Sequence, residues 1–269
     1  MKAQREQSEL QHADIREQYD DAQSDGRYEE GMARMALYHR HCQDPVIFRA
    51  LGDVRGKSLI DLACGDGFYT RRFRSECGAH PMLGVDLSPK QIQRAEAIEQ
   101  RQPLGITYRV GDVMNLSSDR HFDVATAIHL LHYLENADEI SSVLSSIHAL
   151  LVDDGYFVTM IANPEFNLEQ HDATDSKAKF AYYFSVAEPG NGGRMRFHPG
   201  GFEKERELTI EFQRWQRDFI NRIALDTGFT PEWRDPFISD EGLKTYGADF
   251  FSNYLANPQS KLIRLNKNS

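Results

Sequence analysis

The chain has 269 residues, 40% of them hydrophobic and 27% charged, an ordinary globular composition with room for one to two domains. Its 31 Lys and Arg against 41 Asp and Glu leave a formal charge of −10, which argues against a sequence-independent nucleic-acid binder and against a protein held by anionic lipid. No run approaches the roughly 20 apolar residues of a membrane span, the acidic first 25 residues lack an apolar leader core, and Cys42, Cys64 and Cys77 show neither disulfide-framework nor zinc spacing. The expectation is a cytoplasmic protein, monomer or homodimer, with no metal, membrane or nucleic-acid partner.

Residues 1–54 read as an N-terminal arm and lid helices. Two short helices are expected between Tyr28 and Leu51, interrupted at Asp44-Pro45. A regular alternation follows. Strands are predicted over Ser58–Leu62, Pro81–Val85, Ile106–Val110, Phe122–Ile128 and Tyr156–Ile161. Helices are predicted over Phe68–Cys77, from Pro89 to about Arg101, and over Ala137–Leu151. Ser88 is the N-cap of the second of these, with Pro89 in the first turn and Gln91 three residues after the cap. Strands separated by helices of this length imply right-handed crossovers and a doubly wound parallel α/β sheet, with a cofactor-binding half over residues 55–163. The periodicity stops at Pro164, so residues 164–205 read as an inserted substrate cap. Residues 206–269 then complete the α/β domain, with strands Glu207–Trp215 and Phe229–Trp233 flanking a helix Arg217–Thr227 and supplying an antiparallel edge.

The segment that carries chemistry is Asp61-Leu62-Ala63-Cys64-Gly65-Asp66-Gly67, where a strand ends, a Gly-x-Gly turn follows and a helix opens. Alone that is a weak signal. Asp86 ends the next strand, 21 residues after Gly65, where an acid can accept hydrogen bonds from both ribose hydroxyls. Asp112 follows the third strand, so three carboxylates gather at the edge where open α/β sheets bind ligands. A pyrophosphate fits poorly: the third glycine position holds Thr70, and Asp61 and Asp66 would repel the phosphates. A nucleoside ending in a sulfonium and an α-ammonium, S-adenosyl-L-methionine, suits these acids better.

These residues resemble the motifs of class I S-adenosylmethionine-dependent methyltransferases. Asp61 to Gly67 looks like their first motif, Val85-Asp86-Leu87-Ser88 the second, and Gly111-Asp112-Val113 the adenine motif; Phe122 to Tyr133 is similar to their fourth-strand region. The resemblance implies a Rossmann-like seven-stranded sheet with a cap inserted after strand five. It also implies that Asp61, Ala63 and the Gly65 and Gly67 backbone hold the methionine end, with Ala127 and His129 lining that side. Asp86 would hold the ribose, Leu87 and Gln91 would lie about the nucleoside, and Asp112 with the Val113 N–H would read adenine. In this family a tyrosine of the N-terminal segment often closes over the methionine end, which makes Tyr19 and Tyr28 the lid candidates.

A narrower resemblance, carried by Gly52 to Ser58, Ala162 to Phe166 and Tyr246 to Phe251, is to bacterial small-molecule methyltransferases of the toxoflavin type, which N-methylate an azapteridine. It implies methyl transfer to a nitrogen, or an oxygen, of a small planar heteroaromatic metabolite in natural-product biosynthesis. Aromatic residues crowd the cap and tail, so Asn163, Phe166, Tyr183, Trp215, Tyr246 and Phe250 are the substrate candidates, weighed against simple packing. In-line methyl transfer needs orientation above all. Where the acceptor must lose a proton, His132 is the candidate on the substrate side and His129 on the cofactor side. The alternatives are a cofactor-binding protein of the same fold with cyclase or decarboxylase chemistry, a non-catalytic regulator, and, last, a dehydrogenase.

Overall fold

The computed structural model describes residues 26–186 and 193–268; Tyr19 lies outside them. In chain order the elements are α1 (Arg27–Arg34), α2 (Ala36–Tyr38), a π-helical turn (His39–Gln43), α3 (Asp44–Leu51), β1 (Leu59–Leu62), α4 (Phe68–Ser75), β2 (Met82–Asp86), α5 (Pro89–Arg101), β3 (Ile106–Val110), β4 (Phe122–Ile128), α6 (Ala137–Leu150) and β5 (Leu151–Ala162). Then come α7 (Ala173–Phe180), β6 (Tyr182–Val186), β7 (Arg194–Pro199), β8 (Ile210–Gln213), α8 (Arg217–Asp226), β9 (Phe229–Arg234), α9 (Asp240–Tyr246), α10 (Ser252–Ala256) and β10 (Ser260–Lys267). The chain forms two compact units.

The larger unit comprises residues 49–161, 217–234 and 262–269. Its seven-stranded sheet has the order β3-β2-β1-β4-β5-β10-β9. The strands from β3 to β5 run parallel, and β9 and β10 pair antiparallel. All four residues of β1 are buried, as a strand covered on both faces must be. This is the class I methyltransferase architecture. Ser88 caps α5 as predicted, its hydroxyl accepting the Gln91 N–H at 3.3 Å. Asn136 caps α6 in the same way.

Two elements depart from the sequence reading. The seventh strand of the sheet is β10, from the C-terminal tail, where Leu262, Ile263 and Leu265 are fully buried. Arg264, between them, lies over the Tyr156 ring at 3.6 Å and donates to the Ala50 carbonyl. The strand expected over Glu207–Trp215 does form, as β8, but it pairs with β7 in a separate antiparallel sheet of order β6-β7-β8. A short strand takes the edge its side chains can cover, and Ile210 and Phe212 are buried there.

The smaller unit comprises residues 1–48, 162–216 and 235–261, so residues 206–216 and 235–261 group with the cap segment rather than with the α/β domain. Its core is Met35, Tyr38, Cys42, Phe180, Tyr182, Ile238, Phe251 and Tyr254. Tyr38 sets its ring edge-on to Tyr182 at 4.9 Å, and Phe184 stacks on Phe197 at 5.1 Å. A three-stranded sheet and short helices bury little surface per residue. Large rings, which bury about 150–250 Å² each, supply the missing apolar contact.

Candidate functional site

The C-terminal edge of β1 is built around Asp61. Its side chain is buried, and Thr70 in α4 and Thr126 in β4 each donate a hydroxyl to one carboxylate oxygen, at 2.6 and 2.7 Å. Burial raises the Asp61 pKa to about 6, against the pull of the two hydroxyl bonds. A buried carboxylate must be hydrogen-bonded, and here that demand is met inside the fold. Asp61 ties β1, α4 and β4 together beneath the turn.

The turn itself runs through the left-handed region at Ala63 (φ 52°), Gly65 (φ 57°) and Gly67 (φ 85°). The two glycines serve different neighbours. A side chain on Gly65 would meet nothing within 4 Å, so the space beyond it is open. A side chain on Gly67 would sit 2.9 Å from Cζ of Tyr108, so the space beneath it is filled. Burial pushes the Cys64 thiol up, with Asp61 and Asp86 adding to the effect, and it stays protonated.

Asp86 closes β2. Its carboxylate accepts the Gly65 N–H at 2.8 Å and the Ser88 N–H at 2.8 Å, pinning the first turn to the next loop. Leu87 beside it is 41% exposed, an apolar surface facing solvent, while Gln91 is buried in the first turn of α5. After β3, Asp112 accepts from the Met114 N–H at 2.9 Å and the Asn115 side-chain amide at 2.8 Å, capping the short 3-10 turn Val113–Asn115. Both carboxylates thus hold the loops that follow their strands.

At the end of β4 the structure separates the candidates. Ala127 is fully buried near the end of the strand, and its carbonyl accepts the Thr159 hydroxyl at 2.7 Å. His129 is half-buried at φ 67°, its N–H donating to the Met160 carbonyl at 3.2 Å. His132 is buried, its ring 4.4 Å from Tyr133 and 5.4 Å from His129. Burial and, next, the His129 charge hold it well below the ordinary histidine range, so it is a neutral imidazole at pH 7.

The larger unit thus brings together Ala63, Gly65, Asp86, Leu87, Asp112 and His129 on the loops that follow successive strands. An open glycine, strand-end carboxylates and an exposed leucine fit a nucleoside whose tail is cationic. Sequence reasoning missed Thr70 and Thr126 as the partners of Asp61. The signal for Thr70 was its place where dinucleotide sites carry a third small residue.

The substrate candidates all lie in the smaller unit. Phe166 and Trp215 are buried, with Phe166 packed on His171 and Phe184. Tyr183 alternates with Tyr182 along β6; its ring stacks on His198 at 4.2 Å and its hydroxyl donates to Glu207. Tyr246 and Phe250 stack on each other at 5.0 Å, and Lys179 lies over the Phe250 ring. Asn163 lines a cavity of about 290 Å³. Its amide donates to the Pro258 carbonyl at 2.7 Å. Lys261 on the same wall holds Glu165 at 3.0 Å and Asp235 at 3.1 Å. Tyr28, the other lid candidate, lies half-buried on α1. Among the described residues no cluster of three or more His, Cys, Asp or Glu is placed to hold a metal, and no helix is long and apolar enough to cross a membrane.

Comparison with known proteins agrees with this edge. A family model described as a methyltransferase domain matches residues 59–155. An uncharacterized protein of Haemophilus influenzae is 27% identical over 209 residues, 74% of this chain and 78% of that one. An S-adenosylmethionine-dependent methyltransferase of Mesorhizobium loti superposes with a TM-score of 0.58 at 23% identity, covering 83% of this chain and 96% of its own. A Burkholderia thailandensis 1,6-didemethyltoxoflavin-N1-methyltransferase, with 1,6-didemethyltoxoflavin and S-adenosylhomocysteine bound, superposes with a TM-score of 0.58 at 18% identity, covering 97% of this chain and 91% of its own.

Proposed function

From a class I methyltransferase domain, with S-adenosyl-L-methionine as its cofactor, we propose that this protein methylates a small, planar heteroaromatic metabolite at nitrogen or oxygen. The observation that carries the acceptor class is the likeness to the toxoflavin enzyme, which extends over 97% of this chain and so includes the segments outside the methyltransferase motifs.

When bound, S-adenosyl-L-methionine supplies a methyl group already activated by its sulfonium. The residues of this chain then bind and orient. Asp86 accepts the ribose hydroxyls. Leu87 presents an apolar face to adenine, and Asp112 with the Val113 N–H reads its edge. Gly65 lets the methionine portion approach the backbone. Orientation of acceptor and methyl group is the main catalytic contribution. Where the acceptor must lose a proton, the neutral His132 takes it, with His129 beside it.

The test is an incubation of purified protein with methyl-labelled cofactor and a cell extract, followed by ultrafiltration. Label in the small-molecule filtrate is the expected result; label confined to protein or RNA in the retentate overturns the acceptor class. His132→Asn should lower filtrate labelling while S-adenosylhomocysteine binding persists.

A further inference from the structure

Tyr108 stands under the cofactor turn, and nothing in the motifs assigns it a role. It lies on β3, opposite Gly84 of β2 in the parallel register. A Cβ on Gly84 would come within 2.6 Å of the Tyr108 ring and 3.0 Å of the Cys64 sulfur. Two glycines, Gly84 in the strand and Gly67 in the turn, therefore leave exactly one ring's depth between sheet and turn, and Tyr108 fills it. The side chain is 8% exposed. Its hydroxyl is buried and has no hydrogen-bond partner among the described residues. Burial, with Cys64 next, raises the phenol pKa, so it remains a neutral donor. Arg71 and Glu99 act on it electrostatically, yet both are engaged elsewhere. They pair with each other at 2.6 Å, Arg71 also donates to the Gln102 carbonyl, and Glu99 accepts three backbone N–H groups from Leu104, Gly105 and Ile106.

A buried hydroxyl with no partner is unfavourable, and phenylalanine would fill the same space without that cost. The compensating state is one in which the turn has a different set of contacts. We propose that Tyr108 is a positioning residue for S-adenosylmethionine: its ring sets the height of the Cys64–Gly67 turn, and its hydroxyl becomes hydrogen-bonded when the turn closes on the cofactor. The proposal rests on the cofactor assignment made above. It places the hydroxyl's contribution in cofactor affinity and the ring's contribution in the stability of the free protein.

The test measures the melting temperature of the cofactor-free protein and its affinity for S-adenosylhomocysteine by calorimetry, in the wild type, Tyr108→Phe and Tyr108→Leu. Tyr108→Phe should melt no lower than the wild type when free and bind S-adenosylhomocysteine roughly three- to tenfold more weakly, the loss of one hydrogen bond. In turnover it should raise KM for the cofactor and leave kcat near the wild-type value. Tyr108→Leu should lower both melting temperature and affinity. A Tyr108→Phe protein that binds as the wild type does, or that melts lower when free, overturns the proposal. A wild-type protein that fails to bind S-adenosylhomocysteine overturns the cofactor assignment instead.

Discussion

The two units spend their unusual residues in opposite ways. In the larger unit the loops after β1 and β4 hold Ala63 and His129 at positive φ, a conformation that costs a non-glycine residue about 1–2 kcal/mol, and neither residue ends a helix. In the smaller unit Ala181 is also left-handed, but it closes α7, its N–H donating to the Lys177 carbonyl at 3.1 Å, which is an ordinary helix ending. The larger unit leaves space open at Gly65, whereas the smaller unit fills its interior with rings. Local cost that the fold itself does not explain marks the binding edge; mere density of aromatic residues marks a core.

The largest effect that can break this contrast is on the ring core. Phe180→Ala should destabilise the protein by about 3–5 kcal/mol in denaturant titration, and a Phe180→Ala protein of wild-type stability would mean that the ring lines a ligand site instead. Next is Asp86→Ala, for which calorimetry should show S-adenosylhomocysteine binding weakened roughly ten- to hundredfold, the worth of hydrogen bonds to a charged acceptor. The two glycines sharpen the comparison within one turn. Gly67→Ala should lower the melting temperature of the free protein more than Gly65→Ala does, because only the former adds a collision with Tyr108 to the backbone strain. Gly65→Ala should show its larger effect in S-adenosylhomocysteine affinity, because the added methyl group enters the open space.

A further effect is a pH dependence. The Asp61 pKa is raised to about 6 in the folded protein, above the unfolded value of about 3.9. Between those values the folded state holds more protons, so this residue's contribution to stability is fully present below about pH 4 and is lost as pH rises through about 6. Asp61→Asn should flatten that part of the profile in melting scans between those limits. An unchanged slope would show that the carboxylate is not the group responsible.

Much of the larger unit was legible in the chain. The five parallel strands, the Ser88 cap and the glycine turn follow from periodicity and local chemistry, because each is decided within about ten residues. The tail strand β10 was not. Leu262, Ile263 and Leu265 carry an apolar pattern, but Lys261, Arg264 and Lys267 disguise it. Their charges are met far away in the chain, at Glu165 and Asp235, at the Ala50 carbonyl and at the Leu151 carbonyl. Which aromatic residues of the smaller unit belong to its core was not legible for a related reason. Tyr183 follows Tyr182 directly, and successive residues of a strand face opposite sides; composition alone did not say which side was core.

The sequence by itself determined that a cationic nucleoside, rather than a dinucleotide, suits the edge of a parallel sheet, since strand-end acids and a glycine turn are set by spacing along one stretch of chain. Only the tertiary structure decided what each acid does. Asp61 accepts the Thr70 and Thr126 hydroxyls in the interior, Asp86 pins Gly65 to Ser88, and the Tyr108 hydroxyl lies beneath the turn without a partner among the described residues. Those assignments depend on side chains brought together from separate strands and helices, where burial and hydrogen-bond supply, not the identity of the residue, set its chemistry.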